Sequence, residues 1–379
     1  MRYWRNILTA IVAVAIVAMT SGCSSSDPDK DKSVRTVLVY MIATNTLGSS
    51  GFDKLDLAEM DSYVKENGLS ECKLVVYHAS YDGDPQLFSI EREGGNVVHK
   101  VLATYADSRY STNPERMREV IDDVRELAPS YEYGLVLWGH GTGWALSLKD
   151  KSALRSFGPD YGKYMPVDEL VSALPDDMFE FIYADICYFG SVEIAYQLRN
   201  KTKQFVGSAS SYPASGMPYD ENLAYLLGFN ARVQMAAIST FLHYEGMTGE
   251  NRSITISLVD CTKLEALADV CKRINALSTE VTPDGIQQYV LPSDGFNIYF
   301  DFAQYYRAKA AGNEALLAEF DKALNEAVVY KGATDRIFDR ITIDQEHFSG
   351  LSTYILGTAS EANEAYYATL DWYKNVCQQ

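Results

Sequence analysis

Cysteine is scarce. There are six in 379 residues (Cys23, Cys72, Cys187, Cys261, Cys271 and Cys377), and no two stand in a Cys-x-x-Cys spacing. That removes zinc-site and thioredoxin-type readings, and the five thiols beyond Cys23 are an odd number that does not read as a disulfide framework. Basic charge is also short, with 33 Lys and Arg against 51 Asp and Glu and a formal net charge of −18. Such a chain is a poor partner for nucleic acid or for an anionic membrane surface. No Gly-x-Ser-x-Gly elbow, phosphate-binding Walker loop or EF-hand string occurs. No cofactor and no metal ligand set is therefore expected.

What is present argues for a folded protein. Hydrophobic residues make up 47% of the chain and aromatics 12%, including 27 Tyr, which is far from the composition of disorder. The N-terminus reads as a targeting segment. Arg2 and Arg5 precede an apolar stretch over 7–19, too short for a comfortable membrane span. It ends at Thr20-Ser21-Gly22-Cys23. This string resembles a bacterial lipoprotein lipobox, with Thr20 in place of the usual Leu. The resemblance implies lipidation of Cys23, removal of 1–22 and a place in the bacterial cell envelope, anchored to membrane by the N-terminal lipid alone. Losing Arg2 and Arg5 takes the net charge from −18 to about −20. Residues 23–33, polar and charged, read as a flexible tether, and 34–379 as the folded domain.

Over the folded part, apolar runs alternate with helical spacing. Strands are expected at 34–43, 73–79, 135–138, 181–187 and 204–209. A hairpin is expected from 86–90 and 96–103, joined through Gly94-Gly95. Helices are expected at 53–65, from Asn113-Pro114 to about 127, at 165–174 and from about 191 to 198. The second half is more helical, with expected helices at 220–228, 233–243, 261–277, 302–311, 314–328 and 360–376, and strands at 253–259 and 351–355. The pattern predicts an α/β fold with a mostly parallel central sheet, helices on both faces and a helical C-terminal portion.

Two strings carry the chemistry. Leu135-Val136-Leu137-Trp138-Gly139-His140-Gly141 and Phe181-Ile182-Tyr183-Ala184-Asp185-Ile186-Cys187 are both apolar runs that end in a reactive side chain. Buried parallel strands read in this way, and open α/β sheets place chemistry at strand carboxyl ends. A buried Cys is more often an inert small hydrophobe. The joint pattern favours chemistry instead: imidazole and thiol, 47 positions apart, delivered to one sheet edge. An imidazole can raise the thiolate fraction and protonate a departing amine. Glycines on both sides of His140 allow close backbone approach, so the Gly141 amide is a candidate oxyanion donor, with the Cys187 amide as the second. Ser208 to Ser211 read as a polar loop lining the cleft, and His78, His99, His243 and His347 carry no motif.

At these residues the chain resembles the clan CD cysteine peptidases, and within them the clostripain (C11) family. Further likeness lies in Gly207-Ser208, Gly216-Met217-Pro218-Tyr219, residues 255–260 and residues 350–354. The resemblance implies a caspase-like α/β/α sandwich, endopeptidase activity, and His140 and Cys187 as the catalytic dyad. It also implies cleavage after Arg or Lys, with Asp185 in the substrate pocket, so the expected partner is a peptide or protein bearing basic residues. Self-cleavage is implied between the two motifs, at one of Lys149, Lys151, Arg155 or Lys163, with Lys151 or Arg155 favoured. Where many relatives carry a Glu after the Cys strand, this chain reads Ser208-Ala209-Ser210-Ser211-Tyr212. The alternative is a non-catalytic surface lipoprotein that uses a peptidase-like fold to bind protein or peptide.

Overall fold

The computed structural model describes residues 32–145, 156–228, 230–294 and 297–378. Nine strands form one sheet, in the order β12-β10-β9-β8-β5-β1-β2-β3-β4. They are β1 (Ser33–Ile42), β2 (Cys72–Ala79), β3 (Gln86–Glu93), β4 (Asn96–Thr104), β5 (Ser130–Trp138), β8 (Phe179–Asp185), β9 (Thr202–Gly207), β10 (Thr255–Asp260) and β12 (Val328–Ala333). The central five, β9-β8-β5-β1-β2, are parallel. Antiparallel pairs flank them, β3-β4 on one side and β10-β12 on the other. The remaining strands are short: β6 (Phe157–Asp160) pairs with β7 (Lys163–Met165), β11 (Phe300–Asp301) with β15 (Ser352–Thr353), and β13 (Arg336–Ile337) with β14 (Ile341–Thr342).

Strand alternation assigns the two faces. In β5, Leu135 and Leu137 join one apolar cluster, and Val136 and Trp138 join the other. The second cluster is covered by α2 (Phe52–Asn67), α6 (Tyr219–Leu226) and α7 (Val233–Glu245). The first is covered by α3 (Pro114–Leu127), α4 (Val167–Ala173), α5 (Val192–Leu198), α8 (Leu264–Asn275), α9 (Phe302–Lys309), α10 (Glu314–Ala327) and α11 (Glu361–Tyr367). The result is an α/β/α sandwich whose later helices gather on one face. One turn of helix, α1 (Thr46–Ser49), follows β1.

Local chemistry sets the boundaries. Asn113 caps α3 by accepting from the Arg116 amide at 3.0 Å, with Pro114 in the first turn. Ser191 caps α5 through the Ile194 amide. Three expectations need correction. The helix expected over 314–328 ends at Ala327, and Val328 begins β12, which pairs with β10; β-branched Val328 and Val329 followed by Tyr330 suit a strand. The stretch at 351–355 contributes only Ser352–Thr353, paired with β11 outside the main sheet. The closing helix is a short α11 followed by a separate turn of wider helix at Tyr373–Cys377. In α2, Leu55 is 58% exposed, while Asp53 and Asp56 are buried with Met60 and Val64.

The pairing of β5 with β8 contains one irregularity. Tyr133 pairs with Phe179 but Gly134 pairs with Phe181, and the shifted register then runs to Trp138 opposite Asp185. Gly134 permits it, because a Cβ there would lie 2.2 Å from Cζ of the Phe181 ring. Gly134→Ala is therefore expected to destabilise the fold by about 1–3 kcal/mol through overpacking, read as a lower urea midpoint. An unchanged midpoint would mean that the ring moves aside freely.

Candidate active site

Sheet topology places the site. Strand order reverses between β1 and β5: β1 is followed outward by β2 on one side and by β5, β8 and β9 on the other. Crevices in open α/β sheets lie outside the carboxyl ends of the strands at such a switch point. Three segments meet there. Thr46 follows β1, His140 stands two residues beyond Trp138, and Cys187 stands two residues beyond Asp185. Because Trp138 and Asp185 are register partners, His140 and Cys187 leave their strands at the same level.

Each segment is held. The His140 carbonyl accepts from the Gly158 amide at 3.2 Å, and the Thr142 amide donates to the Ser156 carbonyl at 3.3 Å, so this loop is stitched to the β6 hairpin. A Cβ on Gly141 would meet Ile186 Cγ2 at 2.3 Å and the Ser156 carbonyl oxygen at 2.8 Å, so only glycine fits. Beyond Cys187, Tyr188 adopts a left-handed conformation (φ 60°). Its amide donates to the Ser210 carbonyl at 2.9 Å, and the Gly190 amide donates to the Ser208 carbonyl at 2.7 Å. Ser208 and Ser210 are buried and bonded to Thr255, whereas Ser211 reaches the cleft. Among the described residues, neither the Gly141 nor the Cys187 amide donates to a protein acceptor.

Two cavities share His140, Cys187 and Ser211. One, of about 260 Å³, runs down between Trp138, Asp185, Tyr212 and Gly216. The other, of about 570 Å³, spreads past Thr46 and Gly141 toward Tyr81, Tyr161 and Asp294.

Protonation follows from surroundings. Of the five histidines, His78, His99, His243 and His347 pair with Asp53, Asp61, Glu221 and Asp344. His140 instead shares a 2.8 Å hydrogen bond between its Nε2 and the Thr46 hydroxyl. With burial as the cause, its pKa is lowered. Burial pushes the Cys187 thiol up, partly opposed by hydrogen bonds from Ser211 and the Tyr212 amide. That amide donates to Cys187 Sγ at 3.2 Å. Both shifts favour the uncharged forms, thiol and neutral imidazole.

The family model for clostripain matches residues 39–378. The chain belongs to the clostripain family. Solved structures agree with that placement. An inactive zymogen C11 protease from Parabacteroides distasonis is 28% identical, with a TM-score of 0.79, covering 92% of this chain and 99% of that one. A secreted C11 cysteine protease from Bacteroides thetaiotaomicron, in complex with an irreversible peptide inhibitor, is 27% identical with a TM-score of 0.76, covering 90% and 98%. No curated protein matches the chain. The fold is therefore that of C11 proteases, and the protein is a cysteine peptidase.

In this clostripain-family peptidase the smaller cavity has an acidic floor. Asp185 is buried; its Oδ2 accepts from the Met217 amide at 2.9 Å and from the Tyr219 hydroxyl at 3.3 Å. Asp56, on the inward stripe of α2, accepts from the Trp138 indole at 2.5 Å. The two carboxyls converge beneath Gly216 (φ 69°), where a Cβ would lie 2.8 Å from Asp185 Oδ2 and 3.2 Å from Asp56 Oδ2. Burial, then the neighbouring Asp185 charge, pushes Asp56 up to about 9. Burial likewise raises Asp185 to about 7, opposed by its hydrogen bonds. Of the residues expected from the sequence, His140, Gly141, Asp185 and Cys187 all line these two cavities. Thr46 and Asp56 were not among those expected, since neither stands in a motif. Cys23, Lys149, Lys151 and Arg155 lie outside the described residues. Lys163 is exposed on β7.

Asp56 links pH to stability. An unfolded Asp titrates near 4, and the folded group near 9. Between these values the folded state carries the extra proton, so stability falls as pH rises. Asp56→Asn removes that dependence. The variant is expected to exceed the parent in stability by more than about 1 kcal/mol at pH 8 and by little at pH 4, measured by urea unfolding. An equal difference at both pH values would contradict the buried proton.

Proposed function

We propose that the protein is a lipid-anchored endopeptidase that cleaves after Arg or Lys, with Cys187 as nucleophile and His140 as acid–base partner. The observation that carries this is the arrangement of His140 and Cys187 at level strand ends, over a cavity floored by Asp185. The thiol and imidazole start neutral, so attack is coupled to proton transfer. His140 takes the Cys187 proton as the C–S bond forms, and the carbonyl electron pair moves onto oxygen. The Gly141 and Cys187 amides hold that oxyanion. Collapse breaks the C–N bond as His140 passes its proton to the leaving amine. Water, deprotonated by His140, then attacks the thioester; the C–S bond breaks, the acid product leaves, and His140 returns the proton to Cys187 sulfur. Thr46 is the positioning residue that fixes the imidazole.

Asp185 selects a cationic side chain by charge-assisted hydrogen bonding. A basic residue between the motifs is cut by the enzyme itself, at Lys151 or Arg155. A relative's description as an inactive zymogen supports a processed form, and the inhibitor complex of another supports a peptide substrate.

Three experiments test this. Mass spectrometry of full-length protein and its Cys187→Ala variant is expected to show nicking after Lys151 or Arg155 only in the parent. In the same comparison, Cys187→Ala abolishes hydrolysis of peptides with Arg before the cut. Asp185→Asn lowers kcat/KM for Arg peptides by about tenfold or more, since loss of a charged hydrogen bond is worth about 1.5–3 kcal/mol. Full turnover by Cys187→Ala would refute the mechanism, and an unchanged Arg preference in Asp185→Asn would refute the pocket assignment. For the anchor, Cys23→Ala is expected to move the expressed protein from the detergent-extracted membrane fraction to the soluble fraction. Continued membrane association would refute lipidation at Cys23.

A further inference from the structure

The two cavities meet at His140, Cys187 and Ser211, and only the smaller is lined by Asp185, so chemistry tells them apart. On the reading above, the side chain before the scissile bond descends to Asp185. The nitrogen that departs must lie within reach of His140. The peptide beyond that nitrogen therefore passes His140 on the side away from Asp185. The larger cavity opens there, walled by Thr46, Gly141, Tyr81, Tyr161 and Asp294.

Its outer wall is aromatic. Tyr81 and Tyr161 meet edge to face, ring centroids 5.5 Å apart at 81°, yet remain 51% and 62% exposed. The wall is also fixed. The Tyr161 amide donates to the Thr44 carbonyl at 3.1 Å, Asn45 Nδ2 donates to the Pro159 carbonyl at 3.0 Å, and the Thr44 hydroxyl donates to Asp160. These bonds tie the β6–β7 hairpin to the same loop that carries Thr46. The Tyr161 backbone is therefore already ordered, so a substrate that stacks there need not order it. Across the cavity, the Asp294 carboxylate accepts from the Tyr188 hydroxyl at 2.5 Å, which makes that side unfavourable for a carboxylate.

We propose that this cavity is the subsite for the residue following the scissile bond, and that the Tyr81–Tyr161 wall selects an aromatic or large apolar side chain there and disfavours an acidic one. The proposal rests on the acyl-transfer reading, and its test separates the two. Internally quenched peptides share an Arg before the bond and carry Phe, Leu, Gly or Asp after it. The methyl ester of the same acyl-Arg portion is a control, because its leaving group is methanol.

The full-length protein is expected to prefer Phe over Gly by about three- to tenfold in kcat/KM, the range given by one aromatic contact, with Asp the poorest. In Tyr81→Ser/Tyr161→Ser that ratio falls toward one, and ester turnover by the same preparation reports whether the variant is folded. Tyr161→Phe, which keeps the ring, retains the preference. A flat series in the parent, or an undiminished Phe-to-Gly ratio in the double variant, overturns the subsite while leaving the dyad standing. Absence of turnover on both peptides and ester overturns the acyl-transfer reading, and the subsite with it.

Discussion

The register between β5 and β8 is the constraint on which the site depends. Past the irregularity at Gly134, every residue of β5 faces the residue 47 positions later, through to Trp138 opposite Asp185. That offset is also the separation of His140 and Cys187. Neighbouring strands lie about 4.8 Å apart, so two groups with the same offset emerge side by side. Without the irregularity the offset would be 46, and His140 would stand level with Ile186. Strand side chains alternate between faces, so such a slip would also exchange the inward and outward sets. Leu137 and Trp138, which now belong to opposite apolar clusters, would then face mismatched neighbours. Core packing and the levelling of His140 with Cys187 are thus enforced by the same bonds.

Burial then decides the charges. A cysteine peptidase gains from a thiolate, but desolvation in this crevice works against an ion pair at rest. Cys187 is pushed toward the thiol and His140 toward the neutral ring, both by burial. The hydroxyl of Thr46 orients the imidazole, whereas the other four histidines are partnered by carboxylates. The same reasoning applies on the floor below, where Asp56 and Asp185 are too close and too dry to be ionised together. Coupled groups of this kind titrate as a pair.

Much of this was readable from the chain, for definite reasons. The apolar runs of β1, β5 and β8 are continuous because both faces of a parallel strand are covered, and each run stops where the cleft begins. The helix starts at Pro114 and Ser191 follow from capping chemistry. Other parts were hidden because they depend on partners distant in sequence. Val328 becomes a strand only because β10 offers it an edge. Asp56 reads as a solvated charge on an amphipathic helix, and only the packing of α2 over Trp138 turns it inward. Leu55 takes the exposed place that Asp56 would ordinarily hold. Thr46 is invisible in the sequence because its role needs only a hydroxyl at the end of β1, a requirement that leaves no pattern.

The acidic balance of the whole chain contributes little to choosing a cation. Charges on the surface are screened within about 8–10 Å at physiological salt, and their field cannot distinguish one side chain of a substrate from the next. A carboxyl under Gly216 is different, because little water competes with it. Two buried charges without a partner would be costly, and the proton on Asp56 relieves that cost while the pocket is empty. On the proposed reading, a guanidinium or ammonium group entering the pocket supplies the partner that Asp185 needs to stay ionised. An uncharged side chain of similar size supplies none, and leaves a buried carboxylate that must protonate or remain unpaired. On the proposed reading, discrimination therefore arises less from attraction of the correct side chain than from the penalty that the pocket imposes on any other.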